Sequence, residues 1–136
     1  MPGGTPKDGM DAIEGLRLLL VEDEFVLALG LSDVLGDAGA VVLGPVATVE
    51  DALALVERVP EMDGAVLDVN LGDEVVYPVA DALTARGIPF LFSTANDPGR
   101  LPERFARVPV CRKPFEIDTI HAAVAALRGD PPRRVA

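Results

Sequence analysis

Five short apolar runs punctuate this chain, and none of them alternates apolar with polar residues. They occupy residues 17–21, 40–43, 64–69, 88–92 and 108–111. A strand with one wet face reads as strict alternation, whereas a strand covered on both faces reads as a continuous apolar run. The runs therefore predict a mostly parallel sheet with helices on both sides. Between them the spacing changes to that of a helix. Leu27, Leu31, Val34 and Leu35 form one stripe, stopped by Gly36 and Gly39. Ala52, Leu55, Val56 and Val59 form a second, entered through Thr48 as N-cap with Asp51 three residues on. Pro78 suits the first turn of a third helix, which ends at Gly87. Residues 116–127 close the chain as a helix with Ile117, Ile120, Val124 and Leu127 inward.

The stretch between the fourth and fifth runs carries the weakest signal. Pro98, Gly99 and Pro102 crowd its start, so a fourth helix there is expected to be short or mobile, about two turns ending at Ala106. With it the chain reads as five strands alternating with five helices, an α/β domain. Residues 1–14, rich in Gly, Pro and charge, read as a leader, 15–128 as the domain and 129–136 as a short tail.

Right-handed crossovers carry the C-terminal ends of parallel strands to one edge, where ligands of such sheets bind. The first run ends in Glu22-Asp23-Glu24, the third in Asp68, the fourth is followed by Thr94, and the fifth by Lys113. Carboxylates gathered there repel one another and need a cation, and a lysine beside them needs an anion. Hard oxygen ligands without His or Cys suit Mg²⁺. Asp23 and Asp68 would coordinate it directly, Glu22 directly or through water, and the backbone carbonyl of Asn70 could complete the set. A carboxylate can attack phosphorus to give an acyl phosphate. Lys113 would then pair with a phosphoryl oxygen and the Thr94 hydroxyl would donate to another.

Composition removes other classes. A net charge of −10 argues against direct nucleic-acid binding, which needs clustered Lys and Arg. No apolar run approaches the length of a membrane span. The single Cys111 cannot close an internal disulfide, and no signal-peptide pattern opens the chain, so a cytoplasmic, reducing environment is expected.

The segments Leu18-Leu19-Leu20-Val21-Glu22-Asp23-Glu24, Val66-Leu67-Asp68-Val69-Asn70-Leu71, Ser93-Thr94-Ala95 and Lys113-Pro114-Phe115 resemble the receiver domain of two-component response regulators. The likeness extends over about residues 16–127. It implies a flavodoxin-like, doubly wound sheet of five parallel strands in the order 2-1-3-4-5. It further implies that Asp68 accepts a phosphoryl group from a phosphohistidine on a sensor histidine kinase or phosphotransfer protein. Glu22 and Asp23 would hold Mg²⁺, Thr94 would sense the phosphoryl group and Lys113 would bind it, behind a cis Lys113–Pro114 bond. A downstream protein partner would use the face of helix 4, strand 5 and helix 5. Phe92-Ser93-Thr94-Ala95-Asn96, with Tyr77-Pro78 and Leu101-Pro102, further resembles the single-domain FAT GUY subfamily.

In one respect the chain departs from many receivers. The position three residues before Lys113 is Val110, where those receivers carry an aromatic residue that swings inward. Switching is then expected to use the segment after Thr94 instead. Asn70 and Asn96 stand where receivers tune autodephosphorylation, although Asn also suits ordinary turns. His121 and Cys111 read as packing residues, and Arg133-Arg134 as too short a cluster for a lipid or nucleic-acid surface.

The leading expectation is a stand-alone phosphoacceptor that signals through a partner or drains a kinase as a phosphate sink, catalysing only its own phosphorylation and dephosphorylation. A phosphatase of the haloacid dehalogenase type would place a second Asp two residues after the nucleophile, and Asn70 stands there. A receiver-shaped module that is never phosphorylated would have no use for the full set of groups.

Overall fold

The computed structural model describes residues 12–95 and 98–129. Strands β1 (Arg17–Val21), β2 (Val41–Val46), β3 (Gly64–Asp68), β6 (Phe90–Thr94) and β7 (Val110–Arg112) form one parallel sheet in the order β2-β1-β3-β6-β7. The expected labels 2-1-3-4-5 shift because two further strands intervene. β4 (Asn70–Leu71) and β5 (Glu74–Val75) make an antiparallel ribbon outside the sheet. Two residues per strand are too few to give a periodic sequence signal.

Four α-helices lie among the described residues, not five: α1 (Phe25–Asp37), α2 (Val49–Arg58), α3 (Tyr77–Arg86) and α4 (Ile117–Gly129). In place of the expected fourth helix stand two 3₁₀ turns, Pro98–Arg100 and Glu103–Phe105. Pro102 separates them and has no N–H with which to continue a helical ladder.

Each face of the sheet has its own core. On one side Leu19, Val21, Leu67, Phe90 and Phe92 pack against α2, α3 and Phe105. On the other Leu18, Leu20, Val66 and Leu91 pack against α1 and α4 through Leu31, Leu35, Ile120, Val124 and Leu127. The central strands β3 and β6 are buried along their whole length, which is why their sequences show no alternation. Ile117, expected inward, is instead 59% exposed, because α4 begins there and its buried stripe starts at Ile120. Ile13 is fully buried and Arg128 donates to the carbonyls of Ala12 and Glu14, so the folded part reaches back to Ala12. The remainder of the expected leader and the tail from residue 130 on lie outside the described residues.

Strand boundaries differ from the expected runs. β2 continues through Gly44 and a cis Gly44–Pro45 bond to Val46, with a shift in its register against β1. Gly44 has φ +103°, and a Cβ there would lie 2.9 Å from the Val46 nitrogen and 3.0 Å from the Leu20 carbonyl oxygen. Only glycine fits that turn. β6 begins two residues later than expected and includes Ser93 and Thr94, while β7 ends at Arg112. The helix entry at Thr48 forms as read, its Oγ1 accepting the Asp51 N–H at 3.1 Å. Glu74 of the ribbon accepts the next free N–H, that of Val49, at 3.2 Å.

Candidate functional site

Register decides which side chains meet. Leu18 pairs with Gly64 and Ala65 with Phe90, so β1, β3 and β6 end almost level at Val21, Asp68 and Thr94. One residue past β1, Glu22 turns over the edge, its N–H donating to the Val46 carbonyl at 2.9 Å. One residue past β7, Lys113 is fixed by its own N–H on the Thr94 carbonyl at 2.8 Å. The bond from Lys113 to Pro114 is cis, as the resemblance implies.

The side chains converge. Lys113 Nζ lies 3.1 Å from Glu22 Oε1, donates to Oε2 at 3.3 Å, and lies 3.3 Å from Asp68 Oδ2. Glu22 and Asp68 are buried, whereas Asp23 is exposed. Asp68 Oδ1 accepts the Asn70 N–H at 3.4 Å, and Glu22 Oε2 accepts the Glu24 N–H at 3.1 Å.

Two buried carboxylates on one ammonium leave an excess of negative charge. Burial, then the neighbouring Glu22 carboxylate, push Asp68 up to about 7 against the opposing pull of Lys113. Burial works to lower the Lys113 ammonium, but its hydrogen bond to Glu22 and the Asp68 charge hold it above the ordinary lysine value. A further cation would relieve the site. Glu22, Asp23 and Asp68 each offer an oxygen within 4.8 Å of the others, and Glu22 Oε1 is buried without accepting a hydrogen bond. A hard divalent ion held by carboxylates fits that donor set.

Of the residues singled out from sequence, Glu22, Asp68 and Lys113 are in direct contact and Asp23 adjoins them. Thr94 is buried at the end of β6, and Asn70 is exposed at the start of the ribbon. Both line a cleft of about 520 Å³ beside the carboxylates, together with Tyr77, Arg100, Leu101 and Arg112. Asn96 falls outside the described residues. His121 is half-buried on α4, its Nε2 without a hydrogen-bond partner, and Cys111 is buried in β7, its thiol pushed up by burial.

Three features escaped the sequence reading. Tyr77 stands beside Thr94 in the cleft, its ring 6.2 Å from Phe92 and 5.4 Å from Phe105, so an aromatic does adjoin the site from α3. Ser93 lies in register with Asp68 and keeps a buried hydroxyl without a partner. Phe25, Val26 and Leu29, next after the acidic triplet, are 73%, 79% and 46% exposed. Their periodicity resembles a core stripe, and only the orientation of α1 separates them from Leu31 and Leu35.

No protein-family model matches the chain, and no curated protein matches it. Solved structures do. SdrG from Pseudomonas melonis Fr1, in a BeF3-activated conformation, is 45% identical with a TM-score of 0.70, over 82% of this chain and 95% of SdrG. SdrG from Sphingomonas melonis Fr1 gives 45% and 0.69, over 83% and 96%. The response regulator PhyR from Brucella abortus is 26% identical with a TM-score of 0.71 over 86% of this chain, which spans about half of PhyR (49%). A response regulator receiver protein from Sinorhizobium medicae shares the fold at 22% identity, with a TM-score of 0.74 over 86% of this chain and 97% of its own.

Proposed function

Since the chain belongs to the response regulator receiver family, we propose that it is a phosphoacceptor whose acceptor is Asp68. The observation that carries this reading is the contact of Lys113 Nζ with both Glu22 and Asp68 at one sheet edge. In the proposed reaction an Asp68 carboxylate oxygen attacks the phosphorus of a phosphohistidine on a kinase or phosphotransfer protein. The new P–O bond forms as the P–N bond breaks, and the imidazole nitrogen leaves with the bonding pair.

Glu22, Asp23 and Asp68, with the Asn70 carbonyl, would hold Mg²⁺, which supplies the charge that lets an anion approach this acidic edge. Lys113 would move from the carboxylates onto a phosphoryl oxygen, and Thr94 would donate to another. SdrG adopts an activated conformation with BeF3, a tetrahedral mimic of a phosphoryl group, which supports the same chemistry here. The exposed Phe25, Val26 and Leu29, beside the carboxylates, suit an apolar contact with the donor protein. The downstream partner would meet the 3₁₀ turns, β7 and α4. The narrower resemblance to the FAT GUY subfamily, a cytoplasmic setting and a phosphate-sink role belong to the same proposal.

The test is incubation with acetyl phosphate and Mg²⁺, followed by intact mass. Wild type is expected to gain one phosphoryl group and Asp68→Asn none. Equal labelling of the two refutes the assignment.

A further inference from the structure

The arginines of this chain divide by what they touch. Arg17 donates to the Glu61 carbonyl, Arg86 to the carbonyls of Val56, Val59 and Pro60, Arg104 to Asp81, and Arg128 to Ala12 and Glu14. These four hold the fold. The side chains of Arg100 and Arg112 make no hydrogen bond or ion pair among the described residues, and both line the cleft beside Thr94. Arg58 and Arg107 are also unpaired but lie outside it.

Arg112 reaches the cleft because it pairs with Thr94 in the β6–β7 register, and Arg100 because it closes the first 3₁₀ turn. The opposite wall is Asn70 and Tyr77, and Leu101 adds an apolar surface. The surroundings reinforce the charge. In a chain of net charge −10, residues 98–113 carry five of the twelve cationic residues against the single carboxylate Glu103. With Arg104 on Asp81 and Lys113 on Glu22 and Asp68, the three left without a side-chain partner among the described residues are Arg100, Arg107 and Arg112. An acidic partner is repelled by most of this molecule and drawn to this stretch. At about 520 Å³ the cleft is far larger than one inorganic anion and has room for two or three side chains.

We propose that the cleft between Arg100, Arg112, Asn70 and Tyr77 is the docking site for an acidic, leucine-bearing segment of a protein partner. Its carboxylates pair with the two arginines and its leucine packs on Leu101 and the Tyr77 ring. The proposal rests on the phosphoacceptor reading only for its consequence: Asn70 and Thr94 belong to both places, so phosphorylation at Asp68 would change the affinity.

The test uses a fluorescein-labelled peptide, Glu-Leu-Glu-Glu-Leu-Glu, titrated by fluorescence anisotropy against the full chain. Wild type is expected to bind it, and a version with lysine in place of every glutamate is expected not to bind. Arg100→Gln with Arg112→Gln should weaken binding roughly tenfold and flatten its salt dependence, as loss of two partly exposed ion pairs requires. Arg58→Gln should leave binding unchanged. Absence of binding, equal loss in Arg58→Gln, or complete competition by inorganic phosphate at the peptide's concentration would overturn the docking site. So would a cleft closed by a second copy, seen in sedimentation as a dimer that both arginine changes dissolve. The ¹⁹F spectrum of wild type with beryllofluoride and Mg²⁺ reports on the acceptor separately. Its bound signal can be absent while the peptide binds, or present while the peptide does not.

Discussion

Lys113 Nζ lies 3.3 Å from Asp68 Oδ2 although their strands are not neighbours. In the sheet β6 stands between β3 and β7, so the lysine arches over the end of β6 to reach the carboxylate. It continues to Glu22, beyond β3 at the end of β1. One side chain thus ties three strand ends, and its own N–H is pinned to the Thr94 carbonyl at 2.8 Å.

Removing that cation strands two buried carboxylates. Lys113→Met is expected to destabilise the metal-free protein by about 2–4 kcal/mol at pH 8, in the range for breaking a buried ion pair that keeps some contact with water. Adding Glu22→Gln should return part of the loss, because one uncompensated charge is then gone. A double-mutant cycle by urea denaturation measures the coupling. Additive losses would mean that the contact contributes nothing.

Stability should also fall with pH through Asp68. Its folded value of about 7 lies above the 3.8 of an ordinary aspartate, so between those values the folded state binds the extra proton. The stability this proton supplies is present below about pH 4 and is lost as pH rises through about 7. Asp68→Asn should remove that slope and be more stable than wild type at pH 8 without metal. Denaturation midpoints of both proteins from pH 4 to 8 check the difference, and parallel curves would sink it.

Arg86 is a structural counterpart far from the chemistry. Its guanidinium satisfies three carbonyls around the end of α2, including Val59 at 2.9 Å and Pro60 at 2.8 Å. Arg86→Ala leaves those carbonyls to water and should cost about 1–3 kcal/mol. Acetyl phosphate labelling of the folded variant should persist. Loss of labelling at full stability would place Arg86 in the site rather than beneath it.

The sheet and its edge were legible because buried parallel strands write a plain signal: β3 and β6 open as apolar runs over residues 64–67 and 90–92, and the polar residues that end each strand mark the edge. Glu22, Asp23, Asp68 and Lys113 could be brought together on topology alone. The helix count was not legible, since Pro98 and Pro102 mark interruption without saying whether one helix or two short turns results. Nor was the ribbon of residues 70–75, whose strands are too short for periodicity. Tyr77 and Arg112 reach one cleft only through tertiary packing, Tyr77 against Phe92 of β6 and Arg112 in register with Thr94, which no local pattern encodes. Ile117 misled because its spacing matches the buried stripe of α4 while its position, at the helix start, faces outward.

Asp23 permits a clean measurement of the metal. It is exposed and has no hydrogen bond or ion pair among the described residues, so Asp23→Ala should change the stability of the metal-free protein by no more than about 0.5 kcal/mol. Yet it is one of three carboxylates whose oxygens lie within 4.8 Å, and losing it removes a ligand. A ligand that binds only the folded state stabilises by RT ln(1 + [L]/Kd), about 1.4 kcal/mol at ten times Kd. Wild type should therefore gain thermal stability as Mg²⁺ is raised, more at pH 8 than at pH 5.5, where the ion must displace the proton on Asp68. Asp23→Ala should need roughly tenfold or more Mg²⁺ for the same gain, in line with one lost ligand. Mg²⁺ that stabilises both proteins equally, or neither, would refute a metal site built on Glu22, Asp23 and Asp68.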